Sequence, residues 1–345
     1  MTARECDALK VTIGIKALNE GSHIARAIES ALAALDGIHG NVVLADSGST
    51  DDTIEIARRY PIRIVQIARS AERCCGAGAE LAYRHAQAEY FYILDGDMVL
   101  HQGFLAAAVA YLDAHPDVAA VGGIVREMNT EAAEFEIRAR AVEYDSRWRP
   151  GPVDRLDCGG LYRTSAIRDV GWFADRNLHA FEEFELGARL VARGWRLVRL
   201  DLPAVEHFGH RIDGYTLLLR RFRSGYAGAP GEVLRSALGR PHLRGVLSRL
   251  SHIRVALVIT AWWITLTAAV ATASWLVLLL LVVAPLVFLS VRRSSVRLGL
   301  FSFVSWNLGA VAFYRGLART RVHPSTPLTE RDLTAPNPTT IEVAC

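Results

Sequence analysis

Apolar and polar positions follow two periodicities through the first part of the chain, and a third pattern takes over near residue 250. Short apolar runs at residues 11–15, 42–45, 62–67 and 91–94 have strand length, and between them apolar residues recur at helical spacing. Helices are predicted over 23–35 with Ser22 as N-cap, through Ile54, Ala57 and Arg58, and over 78–88. Ser49 or Thr50 would cap the second of these, with Asp51 and Asp52 at its positive end. A further amphipathic helix starts at Glu182 and turns Phe184, Leu186, Leu190 and Val191 towards a core. Strands linked by helical crossovers predict an α/β fold, a mostly parallel sheet flanked by helices. Loops after successive strands then gather along one sheet edge, where such folds bind ligands.

From Val255 to Val291 the chain carries no charged residue. A single membrane-spanning helix needs about 20 residues, so this longer run predicts a C-terminal transmembrane helical hairpin. Its turn falls at 271–274, among alanine, threonine and serine, and Trp262, Trp263 and Trp275 are candidate interfacial anchors. Arg249 and Arg254 precede the hairpin while Arg292, Arg293 and Arg297 follow it, which puts both ends on the cytoplasmic face. A third apolar stretch, 298–313, is interrupted by Asn307 and followed by Arg315, Arg319 and Arg321; it is expected to lie in the interface or pack on the hairpin. Pro324, Pro327, Pro336 and Pro338 predict a disordered tail. The expected divisions are an α/β domain at 1–210, basic amphipathic juxtamembrane helices at 211–250, the hairpin with its third segment at 251–320, and the tail at 321–345.

Composition then removes several partners. A net charge of +3 over 345 residues is close to neutral, and no basic stripe is interleaved with aromatic residues, so nucleic acid is not expected. The five cysteines form no C-x-x-C pair and no zinc-type spacing, as suits reduced thiols in a cytosolic setting. Arg4, Glu5 and Asp7 precede an apolar run too short for a signal-peptide core, so the first half is expected to stay cytoplasmic. Neither a G-x-G-x-x-G after the first strand nor a P-loop motif is present, which leaves a Rossmann site or a P-loop without support.

The chemistry centres on Asp95-Gly-Asp97, directly after the 91–94 run. Side chains alternate in extended chain, so both carboxylates can point the same way, and Gly96 lets a ligand approach the backbone. Two hard oxygen donors at a strand's end suit Mg²⁺ or Mn²⁺ shared with a diphosphate. A solvated Asp-Gly-Asp turn is the alternative.

Around this pair stand Val11-Thr-Ile-Gly-Ile-Lys-Ala-Leu-Asn-Glu20, Asp46-Ser-Gly-Ser-Thr-Asp-Asp-Thr53, Gly159-Gly-Leu-Tyr-Arg163, and Glu182-Glu-Phe-Glu-Leu-Gly-Ala-Arg-Leu190 with Gly194-Trp195. In this order the motifs resemble those of the family 2 glycosyltransferases of GT-A fold, over residues 11–208, and the chain looks similar to exopolysaccharide and lipid-linked glycan transferases. The resemblance implies metal-dependent, inverting transfer of a sugar from a nucleotide-sugar donor. It places Ala17, Asn19, Glu20 and Asp46 around the nucleobase, Arg73 near the phosphates, Asp95 and Asp97 at the metal and diphosphate, and His207 with them as a metal ligand. A carboxylate at Asp46 can accept an imide hydrogen such as uracil's, which favours a UDP-sugar, although Asp46 can equally close its own turn. Gly159, Gly160 and Glu182 fall on the sugar and acceptor side. Glu183 falls on the family's aspartate general base, which must stand within reach of the attacking oxygen; two acids at a positive helix end are the bland alternative.

Some positions depart from the pattern. Lys16 replaces a usual proline, and Ala79 and Glu80 stand where Arg-Asn is common. Processive members carry Gln-x-x-Arg-Trp where this chain has Leu218, Arg221 and Phe222, which weighs against a polymer synthase. Arg220, Arg221 and Arg223 would meet a lipid phosphate or form a basic collar beside anionic headgroups. The resulting expectation is a transferase anchored in the inner (plasma) membrane, adding one sugar to a lipid-linked or glycan acceptor hydroxyl in exopolysaccharide or envelope glycan synthesis. The alternatives are a polyprenyl-phosphate monosaccharide synthase and a non-catalytic nucleotide-binding scaffold. A nucleotidyltransferase would want glycines in the loop after the first strand, and Lys16-Ala-Leu-Asn-Glu20 lacks them.

Overall fold

A computed structural model describes residues 9–128, 148–209 and 214–334. The leading charges Arg4, Glu5 and Asp7, Cys6, and the last part of the tail with Pro336, Pro338 and Cys345 lie outside the described residues. In chain order the elements are β1 Val11–Ala17, α1 Ile24–Ala34, β2 Gly40–Asp46, α2 Thr53–Ala57, β3 Arg63–Ile67, α3 Cys75–Arg84, β4 Tyr90–Asp95, β5 Met98–Leu100, α4 Phe104–Ala114 and β6 Val118–Glu127. Then follow β7 Gly151–Val153, β8 Gly160–Arg163, α5 Thr164–Val170, α6 Glu182–Ala192, β9 Arg196–His207, α7 Gly214–Ser224, α8 Ala229–Ala237 and α9 Leu243–Arg249. The C-terminal part holds α10 Ser251–Ala271, α11 Trp275–Arg292, α12 Val296–Ala318 and β10 Glu330–Asp332.

The sheet runs β10-β3-β2-β1-β4-β8-β6-β9-β5, with β7 on β9 off this path. Its first half is parallel, β3-β2-β1-β4. The second half is mixed: β8 is antiparallel to β4 and β6, and β5 and β7 are antiparallel to β9, while β6 and β9 are parallel to each other. The expected mostly parallel sheet is therefore corrected to an α/β mixed one. The antiparallel members, β8 between β4 and β6 and β5 beside β9, pair with strands that do not directly precede them in the chain, so no βαβ crossover sets their direction.

Burial follows from pattern. β1 is buried along its length apart from Lys16, as a strand covered on both faces should be. Helix α1 buries Ile24, Ala27, Ile28 and Ala31, one face at helical spacing. Helix α3 is instead buried almost all round and is made of small residues; a Cβ on Gly76 would sit 2.2 Å from the Asp175 carbonyl oxygen. It starts earlier than the 78–88 expectation, at Cys74, whose thiol accepts the Ala77 N–H at 3.4 Å.

Helices α10, α11 and α12 are each long and apolar enough to cross a membrane. The first two form the expected hairpin, turning at 272–274, with Leu276, Leu279, Val287 and Phe288 left exposed, a surface that suits lipid rather than water. Trp275, 68% exposed at the turn, fits an interfacial anchor. Trp262 and Trp263 do not: their indole N–H groups donate to the Leu281 carbonyl and Asn307 Oδ1, both at 2.9 Å. The third stretch is a longer helix than 298–313. Near its start Phe301 meets the Tyr215 ring of α7 at 5.3 Å, and near its end Gly316 packs against Gly228 just ahead of α8. Both ends thus touch the juxtamembrane helices, and Asn307 is matched by Trp263 of the hairpin.

The tail is ordered as far as the described residues reach. Arg321 pairs with Asp175, Arg176 donates to the Thr326 and Pro327 carbonyls at 2.7 and 2.6 Å, and β10 adds antiparallel to β3. A composition rich in proline concealed these long-range partners, which replace the expected disorder over 321–334.

Candidate active site

Loops from β1, β2, β4 and β9 converge at the sheet edge. There a cavity of about 370 Å³ is lined by Ala17 and Glu20 after β1, Asp95 and Asp97 after β4, Arg73 before α3, Glu182 at the start of α6, and Arg220 and Arg221 of α7. Lys16 Nζ lies 3.1 Å from Asp95 Oδ1 and also pairs with Glu182. Burial alone would lower the Lys16 pKa, yet Asp95 and Glu182 hold it well above the ordinary value. The Glu20 carboxyl is pushed up to about 8, first by burial and then by the charges of Asp97 and Asp95. Burial, offset by Lys16, and the nearby Asp97 likewise raise Asp95.

His207, at the end of β9, faces Asp97 Oδ2 from Nε2 at 3.3 Å, and its Nδ1 meets Glu127 Oε2 at 2.8 Å. Against burial, these two carboxylates raise its pKa to about 9. A ring nitrogen turned to a carboxylate beside an acidic pair is the arrangement that orients a metal-binding histidine. Among the described residues no three His, Cys, Asp or Glu donors already surround one point. The donor set fits a hard cation held by one or two carboxylates and completed by substrate oxygens, and a cation would relieve the crowding of Glu20, Asp95 and Asp97.

Arg73 carries the clearest sign of an anionic ligand. Its Nε is buried without a hydrogen-bond partner, and its guanidinium lies so close to Gly48 that a Cβ there would meet Nη2 at 2.1 Å. A buried donor left unmade is costly, which is explained if a ligand completes it.

Other expected contacts are placed differently. Asp46 is 0% exposed, and its carboxylate accepts the Gly48 and Ser49 N–H groups at 2.7 and 2.9 Å, the Ser49 hydroxyl and Gln66 Nε2 at 2.8 Å. It closes its own turn and does not line the cavity, so the imide contact that favoured uridine loses its support. Asn19 takes the left-handed conformation, φ 58°, and its Oδ1 accepts the Thr50 N–H at 2.8 Å. It ties the two loops together instead of facing the cavity, and Thr50 is thereby diverted from capping α2, whose N-cap is Asp52. Gly159 and Gly160 serve close packing: a Cβ on either would strike the Ile93 carbonyl at 2.8 Å or Leu156 Cδ1 at 2.3 Å. Arg223 is exposed and lies off the cavity, unlike Arg220 and Arg221.

The two glutamates of α6 part company. Phe181 in the left-handed region, φ 64°, turns the chain into the helix, and Glu182 faces Lys16 in the cavity. Glu183 is half-buried, lies outside that lining and accepts the Tyr162 hydroxyl at 3.3 Å. Its carboxyl is raised to about 8 by burial, with Lys16 opposing and Asp157 and Glu182 adding. Asp157 and Cys158 beside it hold φ of 51° and 62°, conformations that non-glycine residues adopt at a cost. Sequence reading missed Glu127 and Tyr162, which only strand packing brings here. It also missed the bridging part played by Lys16, whose departure from proline was the available signal.

The family described as Glycosyl transferase family 2 matches residues 12–171. The succinoglycan biosynthesis protein ExoA of Rhizobium meliloti is 27% identical over 224 residues, covering 60% of this chain and 66% of that protein, just under two thirds. The putative glycosyltransferase EpsE of Bacillus subtilis is 27% identical over 234 residues, covering 62% and 82%. Among solved structures, a mannosyltransferase from Pyrobaculum calidifontis in complex with GDP-Man and Mn²⁺ superposes with a TM-score of 0.62 at 20% identity, covering 90% of this chain and 88% of its own. This likeness establishes a shared GT-A fold.

Proposed function

Because residues 12–171 match the family described as Glycosyl transferase family 2, we propose that the chain transfers a single sugar with inversion from a nucleoside-diphosphate sugar to a lipid-linked acceptor, in exopolysaccharide or envelope glycan synthesis. We place it at the plasma membrane, with the α/β domain in the cytoplasm. The observation that carries this reading is the cavity itself. Glu20, Asp95 and Asp97 line the same space as Arg73, with its unpartnered Nε, and Arg220 and Arg221. Acids and guanidinium groups in one space suit a diphosphate and its counter-cation. The relation to a succinoglycan biosynthesis protein supports the polysaccharide setting, and the Mn²⁺ in the mannosyltransferase of the same fold agrees with metal use.

Asp95 and Asp97 would hold a divalent ion, with His207 steadied by Glu127 beside them. When bound, that ion neutralises the charge building on the leaving diphosphate. Arg73 and Arg220 orient the phosphates, and Lys16 bridges Glu182 and Asp95. For a hydroxyl acceptor, Glu183 removes the proton as the glycosidic bond forms. A second reading is favoured by Glu183 lying outside the cavity while Arg220 and Arg221 line it beside Arg73: the attacking group is then a lipid phosphate, already ionised and needing no base. A calorimetric titration of nucleoside diphosphates with and without Mn²⁺ tests the donor reading. Mn²⁺-dependent binding of one nucleotide, abolished in Asp97→Ala, is expected; binding that is indifferent to both the metal and Asp97 would refute it.

A further inference from the structure

A second cavity, of about 510 Å³, lies beneath the first, between the juxtamembrane helices and the apolar bundle. The two spaces share Arg221 and Tyr226, whose ring centroid lies 4.5 Å from the Arg221 guanidinium carbon. The chemistry of its walls is divided. Val255 and Ala256 of α10 with Phe301, Trp306 and Phe313 of α12 make it apolar, whereas Arg221, Arg292 and Arg293 bring cations to it. Arg293 is positioned by its Nε bond to Ser302 Oγ at 3.2 Å. These arginines stand at the end of α11 where its apolar run stops, the level at which lipid headgroups meet water.

We propose that this chamber holds the acceptor as a long-chain polyprenyl phosphate or diphosphate, its phosphate between Arg221, Arg292 and Arg293 and its chain against Phe301 and Trp306. A soluble sugar acceptor would gain nothing from these apolar walls, and an ordinary phospholipid collar would need no passage to the catalytic cavity. Cations beside the shared residues set the lipid phosphate next to the donor's diphosphate, so the reacting end of the acceptor enters past Tyr226. The proposal rests on the glycosyl transfer reading above and names where its acceptor sits.

Gly309 provides a clean probe. It lines the chamber, and a Cβ built on it meets nothing within 4 Å, so Gly309→Leu starts its side chain in open space and takes up room in the chamber. Equilibrium binding of a labelled long-chain polyprenyl phosphate is measured on the full chain in detergent micelles. Gly309→Leu and the double change Arg292→Gln with Arg293→Gln are each expected to weaken binding by about tenfold or more, the size of a lost charge-assisted hydrogen bond. Inorganic phosphate and phosphatidylglycerol should fail to compete. Mn²⁺-dependent nucleotide binding, measured alongside, should persist in both variants and so report an intact fold. Unchanged lipid affinity in both variants would overturn the proposal, as would equal competition by phosphatidylglycerol. A chain that binds the lipid in this variant-sensitive way but no nucleotide supports the chamber and refutes the donor reading.

Discussion

Between Asp95 and Glu182 a single cation, Lys16, governs how much negative charge the acidic rim carries before substrate arrives. Lys16→Met leaves two buried-side carboxylates uncompensated, and a cost of about 2 kcal/mol is expected once partial solvent exposure is allowed for. The metal-free melting temperature should fall, and Mn²⁺ should raise it more in the variant than in the unaltered chain; equal shifts would mean that Lys16 and the cation do not share this rim. Glu183 offers a pH test. A base must be ionised, and burial raises this carboxyl to about 8, so kcat/KM for a hydroxyl acceptor should climb as pH rises towards 8 and level off above it. Glu183→Gln should then remove that limb and cost on the order of 10²-fold or more in rate. A flat profile and a small loss would favour the ionised lipid phosphate as the attacking group. Of these residues, Asp95, Asp97 and Glu182 line the cavity, as alternation along the strand and the family resemblance led one to expect. Asp46 was not legible, because whether a carboxylate serves a ligand or its own turn depends on the N–H groups the turn presents to it.

At the scale of elements, glycines decide how close α12 comes to the juxtamembrane helices. A Cβ on Gly231 of α8 would lie 2.0 Å from the Phe313 carbonyl oxygen of α12, and one on Gly316 equally close to the Gly228 carbonyl. Gly231→Leu should push α12 away and destabilise the chain by about 1–3 kcal/mol, the range for overpacking. A thermal melt in detergent measures this; an unchanged midpoint would show that the two helices separate freely. Periodicity revealed strands β1 to β4, helices α1 and α6, and the hairpin turn, but not the strands from β5 onwards. It misplaced α3, whose small, evenly buried residues carry no amphipathic stripe, and it assigned a cap to Thr50 that Asn19 of another loop had claimed.

The whole molecule is closed by its C-terminal end, which returns from the apolar helices to the α/β domain. Arg319 pairs with buried Glu232 at 2.7 Å, Arg321 with Asp175, and β10 extends the sheet edge at β3. A chain ending at Leu250 loses all three, leaving Glu232 without Arg319, and should melt well below the full chain in the same detergent. An equal midpoint would make the return dispensable. The full chain is also expected to stay with membranes through a high-salt wash, since its anchoring is apolar; release by salt would point to electrostatic attachment alone. The sequence by itself determined what depends on neighbours along the chain: the strand and helix periods, the uncharged hairpin, and the motifs that resemble those of GT-A glycosyltransferases. Only the tertiary structure decided which carboxylates face the cavity, that the second half of the sheet is mixed, that the proline-rich tail is partly tied down, and that an apolar chamber with arginines in its lining shares Arg221 and Tyr226 with the cavity at the sheet edge. Those outcomes depend on groups far apart in sequence competing for the same hydrogen bonds, charges and space, and no local pattern records who wins.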